Sequence, residues 1–164
     1  MLTHTRYADQ AAFDAHMSTQ EVKDMFDWIN SVDLYSDTPS IHTLGYIDGF
    51  VFQRPETAES SDPYVISREI EYKPGFNATS LPFWKHELSS SQSENGTLIY
   101  SVFQDTSDVN TLQTLEVYKS RAYFKDIHSR GQAATENREN MENSTVRVIE
   151  TVMEQKGGFL FKAM

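Results

Sequence analysis

The sequence predicts an α+β fold. It contains one ferredoxin-like β-α-β-β-α-β unit, an antiparallel sheet with both helices on one face, preceded by part of a second copy. Three observations carry this expectation. From about residue 62 onward, strand-like and helix-like periodicities follow one another in that order. The chain also repeats itself. Slid so that Tyr7 meets Tyr118, "YADQAAFDAHMS" falls on "YKSRAYFKDIHS", matching Ala11 with Ala122, Phe13 with Phe124 and Ser18 with Ser129. A slightly shorter shift lays "GFVF" (Gly49–Phe52) on "GFLF" (Gly158–Phe161), and matches in a constant order point to duplication. Finally, Thr97–Asp105 is apolar on both sides, with Leu98, Tyr100 and Val102 on one and Ile99 and Phe103 on the other. Such a strand is buried on both faces, so a second sheet is expected to cover the first and form a barrel with helices outside.

The elements follow in order. Leu2–Tyr7 reads as the third strand of the partial copy. "DQAAFDAHMSTQEVKDMFDWINS" reads as its second helix, with Val22, Met25, Phe26 and Ile29 at helical spacing, and "IHTLGYI" as its fourth strand. "QRPETAESSD" (Gln53–Asp62) is polar, with Pro and Ser, and reads as a linker. The expected organisation is therefore a partial unit at 1–52, a linker at 53–62 and a complete domain at 63–164. In that domain "YVISREIEY" (Tyr64–Tyr72) is a strand ended by "KPGFN". "TSLPFWKHELSSS" has Ser/Thr caps, Pro near the first turn and Leu81, Trp84 and Leu88 on one stripe, with "ENG" placing a Gly at its end. Thr97–Asp105 and Thr111–Tyr118 flank a polar turn as a hairpin. "SRAYFKDIHSRGQAATENREN" is a helix broken near Ser129–Gly131, and Val146–Met153 is the last strand, followed by "GGFLF". A lone strand–helix–strand leaves apolar surface uncovered, so the front copy is expected to pack on the complete unit or on another chain.

Composition narrows the function. The chain has 164 residues, 38% of them hydrophobic and 23% charged, enough for a real core. Its formal net charge of −10 repels phosphate backbones and anionic headgroups, so neither nucleic acid nor membrane is expected as a partner. It has no long apolar run and no basic-then-apolar N-terminus, which reads as a cytoplasmic protein. The absence of cysteine excludes disulfides, thiolate nucleophiles and Cys-based metal centres. Five scattered histidines show no metal-ligand spacing, and no Gly-rich phosphate loop appears.

The motifs "EVYKSRAYFKDIH" (Glu116–His128) and "TRYADQAAFDAHMST" (Thr5–Thr19), with "ENGTLIYSVFQD" (Glu94–Asp105), resemble the antibiotic biosynthesis monooxygenase family. The resemblance covers nearly all of residues 62–164 and half a unit in front, and it extends to fungal tandem members whose units end in a Gly-Gly-Phe-like tail. It implies a dimeric α+β barrel, a homodimer, and oxygenation of a phenolic or polyketide aromatic in secondary metabolism by O2 with no cofactor. In that chemistry the substrate, as its own anion, passes an electron to O2. The protein supplies a dry cavity, a base and donors for the anion. Relatives in the same barrel cleave haem, isomerise or only bind. At the position resembling the haem ligand this chain has Phe26, and "SRGQAATENREN" has no His, which argues against haem. Two alternatives remain open: a non-oxidative cyclase, isomerase or decarboxylase, and a non-catalytic ligand-binding or assembly module.

Glu116 and Tyr118 stand two apart on one strand and share a face. Buried together, the carboxyl would have a raised pKa and could act as a base, or it could simply hold the fold. His128 follows at the helix turn, as a proton shuttle or as a packing residue. His16, one place out of register with it, is a lesser candidate, and His4 and His42 receive no role. Trp84 is either core or a stacking wall for substrate, and His86, two places on, points elsewhere on the helix. Tyr72 and Tyr100 are phenols able to donate to a substrate oxyanion. Arg68 shares its face with Ile66, Ile70 and Tyr72, so it needs a partner: Glu116 across the sheet, or an anionic substrate.

Overall fold

A computed structural model describes residues 5, 7–32 and 42–154. It divides into two compact units, Met1–Ile41 and His42–Met164. The expected strand at Leu2–Tyr7 and the final "GGFLF", like His4, lie outside the described residues.

The first unit holds two helices, α1 (Gln10–Met17) and α2 (Gln20–Ser31), where the periodicity predicted one. The break is local chemistry. The Thr19 hydroxyl accepts from Val22 N and so starts a new helix, just as Asp9 caps α1 by accepting from Ala12 N. Ser18 and Thr19 also donate to the Ala15 and His16 carbonyls, which satisfies the end of α1. Tyr7 packs edge-on against Phe13, and its hydroxyl meets Nδ1 of His16.

The second unit runs β1 (Leu44–Gln53), β2 (Tyr64–Tyr72), α3 (Phe76–Gln92), β3 (Thr97–Asp105), β4 (Thr111–Tyr118), α4 (Arg121–Asp126), α5 (Gln132–Ser144) and β5 (Thr145–Met153). Its five strands form one antiparallel sheet in the order β1-β3-β4-β2-β5. The last four are the ferredoxin-like arrangement expected from residue 63 onward, and β1 extends the sheet beside β3. Residues 53–62, which read as a linker, end β1 and form a short 3-10 helix at Pro55–Glu59. Arg54 fastens this stretch, donating from its backbone to Leu98 O at 2.8 Å and from Nη2 to Gln92 O at 2.7 Å.

Helix α3 starts at Phe76, earlier than the Ser/Thr caps predicted. Gly75, at φ 84°, supplies the left-handed turn into it. Pro82 therefore lies inside the helix rather than in its first turn. Both Pro82 and Ala78, whose carbonyl Pro82 cannot satisfy, are exposed, so water can serve that carbonyl. The helix ends at Ser93, not at Gly96. The break foreseen near Ser129–Gly131 is a 3-10 turn, His128–Arg130, between α4 and α5.

Two apolar layers result. Toward α3, Phe50, Ile70, Tyr72, Trp84, Leu88, Tyr100, Val102 and Leu112 form the main core. On the sheet's other face Val65, Ile99 and Val117 cluster with Leu98, Leu115 and Met153. Strand β3 is buried along nearly its whole length, as its two-sided apolar pattern predicts.

Candidate active site

Strand register assembles the site. Arg68 on β2 pairs with Thr114 on β4, and Ile66 pairs with Glu116, so Arg68 and Glu116 are diagonal neighbours on the helix-covered face. Tyr100 on β3 lies directly opposite Glu116, and Glu150 on β5 lies opposite Arg68. Arg68 Nη1 donates to Glu116 Oε1, the pairing its apolar face demanded, and its Nε donates to Glu150 Oε2 at 2.9 Å. Glu116 also accepts from Thr114 Oγ1 at 2.9 Å and from the Tyr118 hydroxyl at 2.7 Å. The Glu116 side chain is fully buried.

These partners reverse one expectation. Burial alone would raise the Glu116 pKa, but the charge and hydrogen bond of Arg68 outweigh it and hold the carboxyl below the usual carboxylate range. Burial works to discharge Arg68 as well, and the field of Glu116 overcomes it. The Tyr118 phenol is pushed well up by burial and then by Glu116, so it stays protonated and donates.

Above this layer His128 sits between two carboxylates, Nε2 3.2 Å from Glu87 Oε1 and Nδ1 3.1 Å from Glu94 Oε2. Burial opposes its charge, but the two carboxylate hydrogen bonds raise its pKa to about 9. Glu87 is itself buried and accepts from Asn137 Nδ2 at 2.6 Å. The His128 ring packs on Tyr118 and Phe124, with centroids 4.7 and 6.0 Å away, and on Tyr100 at 5.8 Å. Trp84, three residues before Glu87 on α3, donates from Nε1 to the Tyr72 hydroxyl at 2.6 Å. Burial pushes Tyr72 up to about 12. Tyr100 is also raised, by burial first and then by Glu87 and Glu116. Its hydroxyl has no hydrogen-bond partner among the described residues.

A cleft of about 210 Å³ opens between the sheet and the helices. Arg68, Trp84, Phe124, His128, Arg138 and Glu150 line it, with Glu87. Of the residues singled out from sequence, Arg68, Trp84 and His128 face this cleft. Glu116, Tyr118, Tyr100 and Tyr72 lie buried behind them, and His86 is on the surface with Glu136. Sequence reasoning missed Glu87, Glu94, Phe124, Arg138 and Glu150. Only Glu87 had a local signal, its helical spacing from Trp84. A shallower depression of about 260 Å³, walled by Phe83, Glu136, Glu139, Asn140 and Asn143, contains no cation and none of these groups. Among the described residues no cluster of His, Asp and Glu could hold a metal ion, and no helix is long and apolar enough to cross a membrane.

No family model and no curated protein matches the chain. Solved structures do. A candidate monooxygenase of Lactobacillus acidophilus superposes with TM-score 0.66 at 17% identity, over 94% of this chain and 72% of that one. One of Fusobacterium nucleatum gives 0.67 at 18%, over 96% and 72%. A candidate antibiotic biosynthesis monooxygenase of Bacteroides thetaiotaomicron gives 0.56 at 17%, over 64% of this chain and 99% of its own. The structural neighbours are thus antibiotic biosynthesis monooxygenase-like proteins, and the fold is their mixed α+β fold. At these identities the likeness concerns the fold.

Proposed function

We propose that the chain is a cofactor-independent monooxygenase-like enzyme acting on a phenolic aromatic. The single observation that carries this reading is the cleft. Phe124, with the buried Trp84 behind, walls a space lined by the cations Arg68 and His128, and carboxylates hold each cation in place. Such a site is preorganised to bind a planar anion. Names of the structural neighbours support the reaction class.

In this reading Arg68 and His128 favour the ionised substrate, and Glu116, Tyr118, Glu87 and Glu94 position them. Glu116 and His128 are too fully engaged to exchange the substrate proton. That proton leaves through Glu150, whose side chain is 45% exposed. The substrate carbanion then reduces O2 and recombines with it as a hydroperoxide. Cleavage of the O–O bond leaves a carbonyl oxygen on the ring and releases the other oxygen as water, so a ring CH2, as in anthrone or in the keto tautomer of a phenol, plus O2 gives C=O plus H2O. No outside reductant is needed.

The partner we infer is a second copy of the chain. On the face away from the helices Val65, Ile99 and Val117 are already buried within the chain, and Ile149 on β5, 42% exposed, is the apolar residue that a second copy would cover. A sheet from another chain packed there would complete a barrel.

Oxygen uptake with anthrone-type and single-ring phenols, in metal-free buffer with chelator, tests the reaction. Uptake that falls in Arg68→Met while a melt shows the variant still folded supports it. Turnover that persists under nitrogen would replace it with proton-transfer chemistry, a reading favoured by the exposure of Glu150 at the mouth. Binding without turnover would leave a ligand-binding module.

A further inference from the structure

We propose that Arg138 determines the specificity of the cleft, and that the ligand is a single-ring hydroxyaromatic acid whose carboxylate pairs with this guanidinium. The inference rests on the reading of the cleft as the substrate site. Three cations line that cleft. Arg68 is committed to Glu116 and Glu150, and His128 to Glu87 and Glu94. Arg138 differs. It is exposed on α5, and it donates only to neutral acceptors, from Nη1 to Ser129 O and from Nη2 to Thr135 Oγ1, both at 3.2 Å. It has no carboxylate partner among the described residues, in a chain with 24 acidic and 14 basic side chains.

A guanidinium has five donors in a planar fork. The two bonds described leave others for a ligand. The two hydrogen bonds to Ser129 and Thr135 steady the fork, which lowers the entropy lost when it captures a carboxylate. Size narrows the ligand further. Clefts for drug-sized molecules run to roughly 300–1,000 Å³, and this one, at about 210 Å³, suits one aromatic ring with small substituents. Phe124 would hold the ring, Arg68 the phenolic oxygen through the guanidinium nitrogen it gives to neither Glu116 nor Glu150, and Arg138 the acid at the mouth.

Calorimetric titration of the full chain with 4-hydroxybenzoate and with its neutral isostere 4-hydroxybenzamide tests the idea. Wild type should bind the acid about ten-fold or more tightly than the amide, the usual gain from a charge-assisted pair. Arg138→Gln should abolish that preference, and Arg138→Lys should keep part of it. Equal binding of both probes by wild type, or a preference that survives Arg138→Gln, overturns the assignment to Arg138 but leaves the cleft as a ligand site. Failure of both probes to bind overturns both readings. A matching thermal melt for Arg138→Gln separates lost recognition from lost folding.

Discussion

His128 Nε2 lies 3.2 Å from Oε1 of the buried Glu87, and Glu94 faces its Nδ1 at 3.1 Å. An ionised carboxylate only accepts hydrogen bonds, so both ring nitrogens carry protons and the residue is an imidazolium. Its folded pKa of about 9 lies above the ordinary histidine value of 6.5. The associated stability is fully present below about pH 6.5 and is lost as pH rises through 9. Urea melts should show wild type losing on the order of 2–3 kcal/mol across that window. His128→Gln should start less stable and flatten this slope. An unchanged slope in the variant would refute the charged state of His128.

Glu116→Gln removes the principal counter-charge of a largely buried arginine. The expected loss is about 3–5 kcal/mol. Arg68→Met should cost a similar amount, because it strands Glu116. The double variant should cost clearly less than the sum, since neither charge then remains unpaired. Additive losses in denaturant melts would mean that the two residues do not act as a pair.

Tyr72→Phe removes the only hydrogen-bond acceptor described for the Trp84 indole N–H, in a fully buried place. An orphaned buried donor costs about 1–3 kcal/mol. Chemical denaturation should register that loss, with the far-UV spectrum intact. A variant as stable as wild type would show that water or another group can reach the indole.

Gly96→Ala should destabilise for steric reasons alone. A Cβ there would stand 2.6 Å from the Tyr123 ring. That ring also carries Lys119 Nζ 4.6 Å from its centroid, so moving it disturbs the start of α4. The expected cost is about 1–3 kcal/mol, and Gly96→Ala/Tyr123→Ala should recover part of the clash term in the same melts.

Much of the sheet was legible because strand chemistry is local. Alternation placed Glu116 with Tyr118 and Arg68 with Ile70, and the two-sided apolar pattern of β3 announced burial on both faces. An arginine on an apolar face foretold its own partner, Glu116. Helix limits were harder, because a single Thr19 hydroxyl divides a continuous apolar stripe and Gly75 starts α3 before any side-chain cap. The cleft was hardest of all. Glu87, Arg138 and Glu150 meet only once α3 and α5 have settled on the sheet at a particular rotation, and no spacing within one element encodes that. The sign of the Glu116 shift failed for a related reason. Burial can be read from a pattern, but the winner between burial and a partner's charge depends on distance.

Among the described residues the sheet has two rims, β1 beside β3 and β5 beside β2, and the second carries tethered charges. Naked rims are where sheets from different molecules fuse and fibrils begin. Here Arg147 bridges to Glu69 and Glu71, and Glu150 to Arg68, along that rim. Any intruding strand must bring its own side chains past these tethered charges. At the β5 rim, edge-to-edge fusion of two molecules therefore meets a charge barrier.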